Sequence, residues 1–301
     1  MTDARDLTRA LGGRWFGSYG TAPCPCCQPE RRRDQKALSI SQGRDGRLLL
    51  RCFKAGCSFS SILAAAGIKP GSVSRPDPAA EARRKADLEA QRKRREGTAW
   101  RIWSEARPAR GTLAEAYLRG RHLALPEGAP IRFHDAAPHP RRIRLPAMVL
   151  RADGGAGFAV HCTYLDASGR KAATAPNKAT FGPCRGGAVR LIDPPEGGPL
   201  LIGEGIETTL AAVALFGAPC GAWAALSATG MAGLNLAHIP PGAGLTALGD
   251  GDDAGLKAMY ALARKAHAAG FEVKTLPAPT GRDWADVLKL AAQRAAKGGA
   301  A

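Results

Sequence analysis

Two short apolar runs that each stop on a carboxylate constrain this chain more than any other feature. Leu200-Leu201-Ile202-Gly203 stops at Glu204-Gly205, and Thr246-Ala247-Leu248-Gly249 stops at Asp250-Gly251-Asp252-Asp253. Each run has β length, is broken by Gly and is followed by a helical pattern. The same alternation continues around them. Strands are expected over 200–203, 221–225, 245–249 and 271–276, and helices over 206–216, 254–269 and from about Trp284 to Ala296, with a short helical or loop segment through Met231 and Leu236. Strand–helix repetition with short loops makes a parallel sheet covered on both faces. Ligands of such a sheet bind beyond the carboxyl ends of its strands. Glu204, Asp250 and Asp252 are therefore expected to meet at one sheet edge. Carboxylates that close repel one another unless a cation sits between them, and hard oxygen donors in this number suit Mg²⁺ or Mn²⁺, ions that hold phosphates.

The N-terminal part carries a different chemistry. Five of the eight cysteines fall before residue 70, as Cys24-Pro25-Cys26-Cys27 and then Cys52 and Cys57. Cys24 and Cys27 are spaced C-x₂-C, and Cys52 and Cys57 C-x₄-C. Ala37-Leu38-Ser39-Ile40 and Gly46-Arg47-Leu48-Leu49-Leu50 read as strands between the pairs. This is the layout of a zinc ribbon, with Zn²⁺ held by four thiolates at Cys24, Cys27, Cys52 and Cys57. Cys26 is an alternative ligand to Cys27. A segment this short depends on its metal to fold. Trp15, Phe16, Tyr19 and Phe53, beside Arg14, Arg51 and Lys54, can stack bases and touch phosphates, or can equally serve to pack the ribbon.

The chain has 301 residues and a formal charge of +17. Residues 199–301 are balanced, with eight basic and eight acidic side chains, so the whole excess lies in 1–198. An acidic metal site beside a basic half suits a polyanionic substrate. No apolar run approaches the ~20 residues that a membrane helix needs, and Met1-Thr2-Asp3-Ala4-Arg5-Asp6 lacks the pattern of a secretory signal. A cytoplasmic protein with reduced or metal-bound cysteines is expected.

Four segments follow. Residues 1–70 are the ribbon. Residues 71–110 are a basic linker, Pro/Ser/Gly-rich over 71–78 and helical over 79–106. Residues 111–198 are a basic α+β segment, with a helix over 111–121, strands over 131–134, 145–151, 157–165 and 186–191, and a non-helical stretch Arg170–Lys178. Residues 199–301 are the acidic α/β domain, with an Ala-rich tail after Ala291 that should fray. His122, His134, His139 and His161 show no ligand spacing. Cys162, Cys184 and Cys220 are isolated.

Glu204-Gly205 after one strand and Asp250-Gly251-Asp252 after a later one resemble the Toprim motif, the metal domain shared by bacterial-type primases, type IA and II topoisomerases and some nucleases. Asp252-Asp253-Ala254-Gly255 is similar to the primase form of it, and Asp283-Trp284-Ala285-Asp286 stands where primases carry an Asp-Pro-Asp-type motif, here without the Pro. A ribbon of the CHC2 kind, a basic α+β segment and then Toprim resembles the order of parts in bacterial and phage-type primases. Glu204-Gly205-Ile206-Glu207-Thr208 is most similar to Toprim proteins of phages, plasmids and integrated elements. Two departures stand out: Cys27 replaces the usual ribbon His, and neither a Walker A motif nor a helicase domain follows.

The resemblance implies a Toprim-type α/β fold and a DNA primase that makes short primers from nucleoside triphosphates on a single-stranded DNA template. It implies a Mg²⁺ site at Glu204, Asp250 and Asp252, joined by Asp283 and Asp286, and phosphate or nucleotide contacts from Lys171, Asn177, Lys178 and Arg190. It also implies a separate replicative helicase as partner. The alternatives are a Toprim nuclease using the same metals on water, and a catalytically silent, zinc-dependent single-strand DNA-binding accessory. A topoisomerase is disfavoured, because those enzymes need a nucleophilic tyrosine on a further large domain.

Overall fold

The computed structural model describes residues 3–30, 32, 34–43, 46–68, 78–217 and 219–298. Residues 71–77 of the expected linker and the last residues of the Ala-rich tail lie outside the described residues. The chain forms two compact units, Met1–Ala90 and Gln91–Ala301. Among the described residues no helix is long and apolar enough to cross a membrane.

The first unit holds α1 (Ala4–Ala10), an antiparallel sheet of β1 (Arg14–Trp15), β2 (Tyr19–Ala22), β3 (Leu38–Gln42) and β4 (Leu48–Cys52), and α2 (Phe59–Ala65). Asp3 starts α1 by accepting the Asp6 N–H at 2.7 Å, and Ser58 caps α2 in the same way. Alternation on β3 turns Leu38 and Ile40 inward onto Leu7 of α1, its C-cap Leu11 and Ile62 of α2. At Gly20 a Cβ would run into the Thr8 side chain, so only glycine lets β2 approach α1 this closely. The expected strands 37–40 and 46–50 appear as β3 and β4, moved one or two residues along the chain. The short α1, β1, β2 and α2 had no sequence expectation, since none spans enough residues to show a period.

A long helix, α3 (Pro78–Glu105), contains the division between the units. In the second unit β5 (Arg107–Pro108), β6 (Ile131–Pro138), β7 (Arg144–Ala152), β8 (Ala159–Tyr164) and β9 (Lys178–Phe181) form an antiparallel meander, with α4 (Leu113–Arg119) after β5. β8 is buried along its whole length, and the two faces of β7 and β8 serve different cores. Val149, Val160, Cys162 and Tyr164 pack on Ala99, Ile102 and Trp103 of α3, whereas Met148, Leu150 and Ala159 face a core shared with α4 and the neighbouring α/β domain.

That domain has β10 (Val189–Ile192), β11 (Leu200–Gly203), β12 (Gly221–Ala224), β13 (Leu245–Gly249) and β14 (Val273–Pro277) in the order β10-β12-β11-β13-β14. The last four are mutually parallel, and β10 pairs antiparallel with β12. On one face lie α5 (Ile206–Phe216) and α8 (Trp284–Gly298), with Ile206, Leu210, Ala211 and Trp284 in the core. On the other lie α6 (Ala228–Gly233) and α7 (Asp253–Ala268), through Met231, Met259 and Leu262. The parallel sheet covered on both faces is thus present as expected. Strands 200–203 and 245–249 and helix 206–216 fall on the expected residues. The antiparallel edge strand β10 comes from the segment before residue 199 and extends the sheet beyond its own α/β repeats.

Candidate metal centres

The cysteines come together. Sγ atoms of Cys24, Cys27, Cys52 and Cys57 all lie within 4.8 Å of one another, with Cys27 and Cys52 at 3.5 Å. Cys27, rather than Cys26, completes the quartet. The first pair follows β2, and the second runs from the end of β4 into the next turn. Burial raises the Cys52 thiol, but backbone N–H groups of Ala55, Cys57 and Lys54 and the Cys27 thiol overcome it and hold Cys52 at about 6. Cys57 is pushed up by burial and by the other three thiols. Amides aimed at one sulfur, and four sulfurs crowding one point, fit a soft tetrahedral cation. The quartet can therefore bind zinc.

At the C-terminal edge of the parallel sheet, β11 delivers Glu204 and β13 delivers Asp250. Asp252 caps α7, its Oδ1 accepting the Gly255 N–H at 2.7 Å. Position 255 must be glycine, because a Cβ there would sit 2.7 Å from the Asp250 carbonyl oxygen. The loop after β14 is tied down beside Asp250 by three bonds of 2.8 Å: Ala278 N–H to Gly249 O, Gly281 N–H to Gly251 O and Gly251 N–H to Arg282 O. This carries Asp283 to Asp250. Burial pushes the Asp250 carboxyl up to about 6, helped by Asp283, Glu204 and Asp252, while the Thr208 hydroxyl pulls it down. Glu204 is also raised, by burial and Asp252, against the Ala228 N–H and Lys178.

Asp250 Oδ1 is buried without a hydrogen-bond partner. An acceptor left bare among like charges fits a hard divalent cation. Glu204, Asp250, Asp252 and Asp283 thus share one electrostatic field. Asp286 is exposed on the first turn of α8, its N–H bonded to Asp283 Oδ1 at 2.8 Å, and is not among the charges that shift Asp250. Among the described residues the thiols are the one group of three or more such ligands drawn within 4.8 Å, so the carboxylates stand farther apart.

The basic candidates have partners of their own. Lys171 Nζ lies 3.3 Å from Glu207 Oε1 and Lys178 Nζ 3.1 Å from Glu207 Oε2. Tyr117 Oη donates to Glu207 Oε1 at 2.5 Å. Burial raises the Glu207 carboxyl, but Lys178, Lys171 and the Tyr117 hydroxyl outweigh it and hold the group well below the usual range. Lys171 is lowered by burial and by Lys178, with Glu207 pulling it back. The Arg190 guanidinium lies over the Trp223 ring, 4.6 Å from its centroid. Asn177 is exposed, and its carbonyl accepts the Tyr164 N–H at 3.0 Å. Glu207 had no role in the sequence reading. Its signal was there: three and four residues before Leu210 and Ala211, it puts a charge on the apolar face of α5, where only a paired carboxylate is tolerated.

His161 lies under the two lysines and bonds Thr180 Oγ1 through Nδ1 at 3.0 Å. Burial pushes it down to about 4, followed by Lys178 and Lys171 against the pull of Glu207. The folded state keeps this ring neutral, so its contribution is intact above the unfolded value near 6.5 and is lost as the pH falls toward 4. The full loss is about 3 kcal/mol. Urea midpoints of the second unit should fall over that interval, and His161→Asn should flatten the slope. An equal slope in the variant would show that other groups carry it.

These observations define an α/β domain whose acids sit at strand ends of a parallel sheet, where they can hold a divalent cation. Residues 199–293 match the Toprim domain family and form a Toprim domain. Residues 93–191 match a domain of unknown function, DUF7146. No curated protein matches the chain. Among solved structures, the chain is similar to the primase fragment of the bacteriophage T7 primase-helicase protein, at 14% identity over 91% of this chain and 96% of that one, with a TM-score of 0.42. It is similar to a DNA primase domain from Pseudomonas aeruginosa, at 17% identity over 67% and 77%, with a TM-score of 0.40. It is also similar to the zinc-binding and RNA polymerase domains of the Aquifex aeolicus primase, at 15% identity over 96% and 83%, with a TM-score of 0.35.

Proposed function

We propose that the chain is a metal-dependent DNA primase, joining nucleoside triphosphates into short primers on a single-stranded DNA template. One observation carries the reading: the buried, unpartnered Oδ1 of Asp250, held among Glu204, Asp252 and Asp283 in a Toprim domain. Asp250 and Asp252 would hold Mg²⁺ or Mn²⁺, and Glu204 would complete the site or take up the proton of the attacking 3′-hydroxyl. When bound, the ion supplies Lewis-acid neutralisation of charge on the transferring phosphate. Lys178 acts on Glu204 electrostatically and, with Lys171, keeps the approach to the acids positive. Zn²⁺ on the cysteine quartet holds the ribbon together. The ribbon exposes Phe16 stacked on Tyr19 at 5.3 Å with Arg14 over Phe16, and Phe53 under Arg51, a surface suited to unpaired template bases. A separate helicase would open the duplex, in the replication of a phage or other mobile element.

The test is incorporation of labelled nucleotides on single-stranded DNA, with Mg²⁺ or Mn²⁺. Wild type should yield short products, and Asp250→Ala should lose at least about a hundredfold in rate, the scale of a main electrostatic contribution to catalysis. Equal activity in Asp250→Ala would sink the assignment. Cleaved template without incorporation would make the protein a nuclease, and bound template without either would make it a binding accessory.

A further inference from the structure

We infer that the outward face of α3 is a second site for single-stranded DNA, built on Trp100 and sharing no residue with either metal centre. The inward face of this helix is committed. Ala99, Ile102 and Trp103 are buried on the meander, Arg92 donates to the Ala156 carbonyl at 3.2 Å and Arg95 to the Gly182 carbonyl at 3.2 Å. Glu96, the acid nearest the stripe, is turned in against Gly157. Lys93, Gly97, Arg101 and Ser104 recur at helical spacing on the opposite side, with Trp100 at its border, and all five are exposed.

Three features of that stripe point to a nucleic-acid strand. Trp100 is 58% exposed, an unusual state for the largest apolar side chain, and is braced edge-on by Phe158 at 5.0 Å, which leaves a ring face open. Gly97 lies one turn before Trp100, on the side toward which helical side chains lean. Glycine weakens a helix interior, and a Cβ at 97 would meet nothing within 4 Å, so packing does not require it. Its effect is to leave the helix surface bare one turn before the indole. Finally, Lys93, Arg94 and Arg101 line this surface, whereas Glu105, the acid at the far end, is engaged by His134 at 3.1 Å and Arg144 at 3.7 Å. An aromatic face with cations beside it is complementary to an unpaired base and its phosphates. A duplex hides the base faces that this site would use.

The inference shares with the priming reading only its polymer, since neither Trp100 nor Gly97 belongs to the acidic site. The test is fluorescence anisotropy of labelled oligothymidylate with the full zinc-loaded chain, without added Mg²⁺. Trp100→Ala should weaken binding about tenfold, as loss of one stacked base does, and Trp100→Phe should retain most of it. Gly97→Leu should make the helix more resistant to heat and yet weaken binding several-fold, a pairing that a purely structural role would not give. Arg101→Glu should flatten the salt dependence by about one ion. The same Trp100 effect is expected in the Asp250→Ala background, so a chain that does not prime still gives a readable result. Binding unchanged in both Trp100→Ala and Gly97→Leu overturns the inference and leaves a solvated helix face. A Trp100 effect seen with oligouridylate but not oligothymidylate overturns the assignment to DNA.

Discussion

Glu207→Gln should lower the unfolding free energy of the second unit by about 3–5 kcal/mol, the scale of breaking a buried ion pair from one side. Glu207 is 5% exposed and takes three partners, from α4, from the stretch before β9 and from β9 itself. The amide keeps the shape but leaves Lys171 and Lys178 facing each other without an anion. Because the folded carboxyl lies well below its ordinary 4.5, its contribution is present above that value and is lost only as the pH falls far beneath it. Urea unfolding at pH 7 measures the difference, and adding Lys171→Met to the variant should recover part of it by removing one stranded charge. A loss under about 1 kcal/mol would mean that the lysines have water enough to stay charged alone. The same network joins the meander to the Toprim domain, so incorporation should also fall in Glu207→Gln, although Glu207 is not a metal ligand in the proposed site.

Stripping the metal from the cysteine quartet is the second large effect. Among the described residues the first unit has only eleven buried apolar side chains, and two of them, Cys24 and Cys52, belong to the quartet. So small a core does not offset the ordering of its chain. A structural zinc contributes on the order of 10 kcal/mol of coupled binding and folding. Chelation, or Cys57→Ser, should therefore unfold residues 3–68 while the second unit melts as before. Limited proteolysis with and without chelator reads this directly: cleavage should spread through the first unit alone. A first unit that stays resistant after its zinc is shown to be gone would mean that packing of Leu7, Ile40 and Ile62 suffices.

The legible parts of the chain were those where one local rule decides. Strands 200–203 and 245–249 announce themselves as apolar runs because both faces of a central parallel strand are buried, and the acids follow because a strand end at a sheet edge is where charge can remain hydrated or hold an ion. Helix 206–216 ends where Gly217 takes the left-handed conformation. Less legible were α1, β1, β2 and α2, which are too short for a period and are held by contacts such as Thr8 on Gly20. The choice of Cys27 over Cys26 was also out of reach, since it depends on which sulfur the turn aims at the other three.

By itself, then, the sequence determined the two kinds of donor, four thiols and a set of carboxylates, and the alternation that puts the carboxylates at one edge of a parallel sheet. Tertiary structure decided the company those donors keep. Lys171 and Lys178 are expected from the chain as phosphate contacts, yet folding brings a helix that carries Glu207 against them, and a buried carboxylate is stable only if such cations neutralise it. Asp283 reaches Asp250 only because backbone bonds zip the loop after β14 to the end of β13. Contacts across dozens of residues are set by packing and loop closure, which no local pattern records, whereas donor type and strand register are written residue by residue.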